Sequence, residues 1–189
     1  MVYESELEAI RKMLPGCGKG LEIGVGTGRF AAPLGIGTGL EPSSRMAEIA
    51  REKGIFVMEG VAEDLPFSDS EFDYALMVTT ICFVDDLDLS FREAFRILKE
   101  DGVLVIGLVD RQSHVGKIYE KYREKSHFYQ MATFYSVEEV VESLKKAGFQ
   151  TFSFNQTIFR VLGEIIELEP IRKGYGEGSF VVIRAKKKG

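Results

Sequence analysis

Short apolar segments alternate with amphipathic ones along most of the chain, and this alternation constrains the fold more than any other feature. Leu21-Glu22-Ile23, Ile36 to Leu40, Ile55 to Met58, Phe72 to Thr79 and Val103 to Val109 read as short, nearly continuous apolar strands. Helical spacing lies between them. Met46, Ile49 and Ala50 share a face of a helix opened by Pro42-Ser43-Ser44 and ended by Gly54. Leu87, Phe91, Phe95 and Leu98 recur at i, i+4, i+8 and i+11, and Gly102 ends that stretch. Asp85, Asp86 and Asp88 sit near its start, where the helix dipole favours acids. Strands apolar on both sides, separated by helices, predict a parallel sheet covered on both faces.

The flanks are less regular. Leu7, Ile10, Met13 and Leu14 predict an N-terminal helix within residues 1–18, stopped by Pro15-Gly16. Residues 111–135 are polar, basic and aromatic, a break in the pattern that reads as a substrate-side insertion or lid. Ser136-x-x-Glu139 is a capping box, and Gly148 stops the helix it opens. Phe149 to Ile158 and Ser179 to Ala185 read as strands, while Arg160 to Gly178 shows no assignable pattern.

Composition bounds the function. A chain of 189 residues, 45% hydrophobic, is long enough for one cored domain over residues 1–189. A net charge of −5 argues against a nucleic-acid platform. Two cysteines, Cys17 and Cys82, are too few for a disulfide framework or a Cys-rich metal site, so no metal is expected. The longest uncharged apolar run, Tyr74 to Val84, falls short of the ~20 residues of a membrane helix. The N-terminus carries acids where a signal peptide needs bases. The expectation is a cytoplasmic protein with neither membrane nor nucleic-acid partner. Oligomeric state is not legible at this level.

The glycines point to chemistry. Glu22-Ile23-Gly24-Val25-Gly26-Thr27-Gly28 follows a strand and precedes a helix, so the backbone can turn sharply and approach a ligand. A purely structural turn is the other reading. A dinucleotide loop, Gly-x-Gly-x-x-Gly, would place glycine at position 29, where Arg29 stands, which weakens a nicotinamide-dependent oxidoreductase reading. Glu41 ends the second strand, where an acid can accept hydrogen bonds from both hydroxyls of a ribose. A solvated carboxylate before a Pro42-Ser43 helix start is the alternative.

In order, Glu22-x-Gly24-x-Gly26-x-Gly28, Glu41-Pro42-Ser43, Ala62-Glu63-Asp64-Leu65-Pro66-Phe67 and Phe72-Asp73 resemble the successive motifs of class I S-adenosylmethionine-dependent methyltransferases. Ile97-Leu98-Lys99-Glu100-Asp101-Gly102-Val103-Leu104 is similar to the turn before that family's fifth strand. The small-molecule group that includes the ubiquinone and menaquinone methyltransferases looks most alike. The resemblance implies an α/β, Rossmann-like three-layer sandwich whose seven-stranded, mostly parallel sheet has an antiparallel edge strand. It implies methyl transfer from S-adenosyl-L-methionine to a small-molecule acceptor. Glu22 and the loop of Gly24, Gly26 and Gly28 would hold the methionine end. Glu41, with Pro42 behind it, would grip the ribose. Val61 and Ala62 would line the adenine, with Glu63 a candidate for its amine because Val61 stands where relatives often carry Asp or Asn. Thr79 or Thr80 would close the pocket. A catalytically inactive S-adenosylmethionine-binding module is the other function consistent with these motifs.

No residue declares itself as a general base. His114 and His127, the only histidines, are candidates because histidine titrates near neutrality. Ordinary surface positions are the competing reading. Tyr119, Tyr122, Phe128, Tyr129, Phe134 and Tyr135 could wall an acceptor pocket or form the core of a lid. Cys82 lacks the preceding proline of cytosine-C5 methyltransferases and reads as a small buried hydrophobe.

Overall fold

Side chains along the central strands alternate between two cores, as a period of two requires. The computed structural model describes residues 1–123 and 129–188. Its strands are β1 (Gly20–Ile23), β2 (Thr38–Glu41), β3 (Phe56–Glu59), β4 (Phe72–Val78), β5 (Leu98–Val109), β6 (Thr151–Thr157), β7 (Arg172–Lys173) and β8 (Phe180–Lys186). Its helices are α1 (Val2–Arg11), α2 (Ala31–Leu34), α3 (Ser44–Glu52), α4 (Leu87–Ile97), α5 (His114–Lys121) and α6 (Val137–Ala147). Ala75, Met77, Leu104, Ile106, Val181 and Ile183 face one core, roofed by Phe91 and Ile97 of α4 and Val140 and Leu144 of α6. Leu76, Val78, Val103, Val105 and Val182 face the other, covered by Ile10 of α1, Ala47 and Ala50 of α3 and Val115 of α5. The result is three layers.

The strands form one eight-stranded sheet in the order β3-β2-β1-β4-β5-β8-β6-β7. The first five in that order are mutually parallel, and β8 is antiparallel to both β5 and β6. Of the antiparallel strands, β8 lies inside the sheet between β5 and β6, and β7, antiparallel to β6, forms the expected edge. The eighth strand is the two-residue β7, which pairs with β6 inside the stretch that showed no pattern. Two residues are too few to display a period.

Capping sets the helix starts. Ser136 accepts from the Glu139 N–H at 3.3 Å, and the Glu139 carboxylate accepts from the Ser136 N–H at 2.7 Å. The Asp86 carboxylate accepts from the Leu89 N–H at 2.9 Å and opens α4. One helix face differs from the sequence expectation. α3 buries only Ala47 and Ala50, while Met46 and Ile49 stay 42% and 40% exposed. The small alanines allow α3 to lie close to the sheet, and Met46 turns toward the cleft described below. Leu98 also differs: it starts β5 opposite Phe72 rather than closing α4, yet stays fully buried.

Candidate functional site

In sequence order the sheet grows from β1 outward to β3, then resumes at β4 on the other side of β1. A crevice opens at such a reversal, outside the carboxyl ends of the strands. Here it is a cleft of about 340 Å³, lined by the ends of β1, β2 and β4 and the loops after them. That volume is in the range of small-molecule sites. Gly24, Gly26, Glu41, Pro42, Val61, Ala62, Glu63, Thr79 and Thr80 all line it, so the fold brings most of the sequence-selected positions together.

The glycine loop is built by close packing. Gly24 has φ +72°, and a Cβ there would lie 2.4 Å from Thr80 Cγ2. The Thr80 hydroxyl lies 3.2 Å from both the Ile23 and the Val78 carbonyl oxygens, tying β1 to β4. Thr79 has φ 51°, unusual for a β-branched residue, and its N–H donates to the Gly107 carbonyl at 2.8 Å. This kink turns the chain out of β4 at the floor of the cleft. Gly26 faces open space.

Glu41 is 6% exposed. Its carboxylate accepts from the Gly26 N–H at 2.8 Å and the Ser43 N–H at 3.0 Å, which fixes both the glycine loop and the start of α3. Glu63 Oε1 accepts from the Asp85 and Asp86 N–H groups at 2.7 and 3.2 Å. That oxygen pins the segment after β4 against Ala62.

Two selected positions lie outside the cleft lining. Gly28 has φ +73°, which favours glycine whatever the space, and a Cβ there would press on the far end of the Ile55 side chain at 2.5 Å. Glu22 points to the α1–α3 face and is 2% exposed. Its Oε2 has no hydrogen-bond partner among the described residues. Burial pushes its carboxyl up to about 8; the Ala31 N–H opposes the shift and the Glu41 charge adds to it.

A stability prediction follows. The unfolded chain holds this carboxyl at its ordinary value of 4.5. Between 4.5 and about 8 the folded state binds the extra proton, so its stabilising effect is complete below 4.5 and lost as pH rises through 8. Glu22→Gln removes that dependence. Its melting temperature is expected to fall less than the wild type's between pH 6 and pH 9; parallel curves would contradict the assignment.

Beside the cleft lies a second cavity of about 120 Å³. Thr79 and Phe83 belong to the walls of both. Leu108, Tyr119, Phe134 and Tyr135 supply most of the rest. The Arg111 guanidinium fastens this wall, donating to the Phe134 carbonyl at 3.2 Å and to Glu139 at 2.7 Å. The Thr133 N–H donates to the Cys82 carbonyl at 2.8 Å. Cys82 lines the cavity as a neutral thiol, burial pushing it up to about 12. His114 is exposed on the first turn of α5 and lines neither cavity. His127 and Phe128 lie outside the described residues, as does the Tyr129 side chain. Sequence reasoning missed Met46 and Phe83. An apolar residue at helical spacing gives no signal of whether it faces core or cleft.

The profile of a methyltransferase-domain family matches residues 21–106. A Thermotoga maritima protein of known structure, described as an S-adenosylmethionine-dependent methyltransferase and possible histamine N-methyltransferase, is 57% identical, with a TM-score of 0.97 over 99% of this chain and 89% of that one. An uncharacterized protein of Methanocaldococcus jannaschii is 46% identical over 99% of this chain and 90% of its own length. The demethylmenaquinone methyltransferase of Thermotoga maritima is 32% identical over 78% of this chain and 76% of its own. The chain belongs to the class I S-adenosylmethionine-dependent methyltransferases. Among the described residues no helix is long and apolar enough to cross a membrane.

Proposed function

We propose that the chain transfers a methyl group from S-adenosylmethionine to a small molecule seated in the aromatic cavity beside Thr79. The observation that carries this reading is the shared wall: Thr79 and Phe83 border both the cleft and the aromatic cavity, so two ligands can meet there.

The cleft suits the donor. Glu41 is a buried carboxylate at the ribose position, with accepting capacity left beyond its two backbone bonds. Val61, Ala62 and Met46 offer an apolar slot for the adenine, and Gly26 leaves room for the methionine end.

When bound, S-adenosylmethionine would supply a methyl group activated by a cationic sulfur. The protein's contribution is alignment, which can supply roughly 7–11 kcal/mol. Thr79 and Phe83 set the opening through which an acceptor's lone pair approaches. Tyr119, Phe134 and Tyr135 exclude water, and their ring faces favour positive charge. Burial raises both the Tyr135 hydroxyl and the Cys82 thiol, so both stay protonated at neutral pH. A neutral amine or other nucleophile that needs no base fits best. Histamine and demethylmenaquinone, named for two relatives, each carry a flat unsaturated ring, which supports an aromatic-walled acceptor site.

The test is transfer of a labelled methyl group to a panel of aromatic amines, phenols and carboxylates. Phe134→Ala is expected to reduce kcat/KM for any accepted compound at least about tenfold while leaving S-adenosylhomocysteine affinity within about twofold. Loss of cofactor affinity without a selective loss of transfer would contradict the two-cavity reading.

A further inference from the structure

The aromatic cavity does not end at Tyr119. A further cavity of about 120 Å³ lies beneath α1, and Val109 and Tyr119 belong to the walls of both. Val115, Ile158, Leu162 and Phe180 make it largely apolar. Its polar lining residues are Glu6 and Ser179. The Ser179 backbone is paired, its N–H donating to the Ile158 carbonyl at 2.8 Å and its carbonyl accepting from the Asp110 N–H at 3.0 Å, and its neutral hydroxyl brings no charge to the cavity. Among the described residues Glu6 makes no hydrogen bond or ion pair. The nearby cation, Arg29, is instead stacked 4.1 Å from the centre of the Tyr3 ring.

A carboxylate in apolar surroundings with no partner is costly unless it takes up a proton or a ligand pairs it. Burial pushes Glu6 up to about 7, with Arg29 pulling the other way and Glu4 adding to the rise. The solvent side of the aromatic cavity is acidic too. Asp85, Asp86, Asp88, Glu139 and Glu142 gather around Tyr135, against Lys146 and the paired Arg111. Carboxylates thus stand at both ends of an aromatic-walled space.

We propose that Glu6 is the counter-ion for a protonated amine on the methyl acceptor, at the end remote from the atom that is methylated. The acceptor class is a bifunctional molecule: an ammonium group at Glu6, an apolar spacer along Val109 and Tyr119, and a neutral nucleophile beside Thr79. This rests on the aromatic cavity being the acceptor site.

Calorimetry on the full chain loaded with S-adenosylhomocysteine tests this, with 4-phenylbutylamine and its neutral isostere 4-phenylbutan-1-ol as probes. The wild type is expected to bind the amine roughly 10–100-fold more tightly than the alcohol. Glu6→Gln should bring the amine to the alcohol's affinity and leave the alcohol unchanged. Glu6→Lys should bind 4-phenylbutanoate instead, which reads the same site through a second variant. Equal affinities in the wild type, or an amine preference retained in Glu6→Gln, would overturn the Glu6 assignment. The acceptor-site reading survives that result if Phe134→Ala still weakens the alcohol. Failure of the wild type to bind either probe would overturn both.

Discussion

Replacing Glu41 with alanine is expected to weaken S-adenosylhomocysteine binding by about 100-fold or more, read by calorimetry. The side chain is almost wholly buried and already accepts two backbone N–H bonds, so it is held in place before any ligand arrives. Two further charge-assisted bonds to a ribose contribute roughly 1.5–3 kcal/mol each. Their loss alone exceeds a factor of 100. Alanine also leaves the Gly26 and Ser43 N–H groups without their acceptor, loosening the loop. Glu41→Gln keeps one acceptor oxygen and loses the charge, and should fall between wild type and alanine. An alanine variant within threefold of wild type would remove Glu41 from the ribose site.

A methyl group at Gly24 should be more damaging to the fold. At φ +72° an L-residue is disfavoured by about 1–2 kcal/mol, and the new Cβ overlaps Thr80 at 2.4 Å. Overpacking adds about 1–3 kcal/mol. Gly24→Ala is therefore expected to lose about 3 kcal/mol, or roughly 6–12 °C in Tm for a chain of this length, together with cofactor binding. Gly26→Ala is the contrasting case. Its φ is +55°, but a Cβ there meets nothing within 4 Å. It should lose only about 1 kcal/mol of stability, because only the backbone preference is violated. Equal destabilisation by the two alanines would show that the Gly24–Thr80 approach does not hold the loop.

The sequence made the sheet legible because its signals are local and periodic. Apolar strands, the Ser136–Glu139 box and the Gly148 stop each follow from a few neighbouring residues, and the structure has them in place. Glu41 stands out by position alone, at the end of the second strand, and the structure has it on the cleft. What escaped depends on contacts between distant segments. Met46 has the spacing of a core residue, yet α3 approaches the sheet through Ala47 and Ala50 and leaves Met46 on the cleft. Gly28 belongs to the glycine pattern, but its left-handed backbone, at φ +73°, serves the turn of the loop and its side faces Ile55 and Ala50 rather than the cleft. Glu6 looks like the solvated side of an N-terminal helix; only the packing of α1 over β5 and β8 gives it a cavity. His114 was selected for its chemistry alone, and chemistry without position placed it on the surface.

A crystal structure with S-adenosylmethionine bound should show the ribose on Glu41 and the transferable methyl at the Thr79–Phe83 opening, facing the cavity of Tyr119, Phe134 and Tyr135. A methyl group directed away from that opening, with the aromatic cavity closed off from it, would contradict the proposed acceptor site.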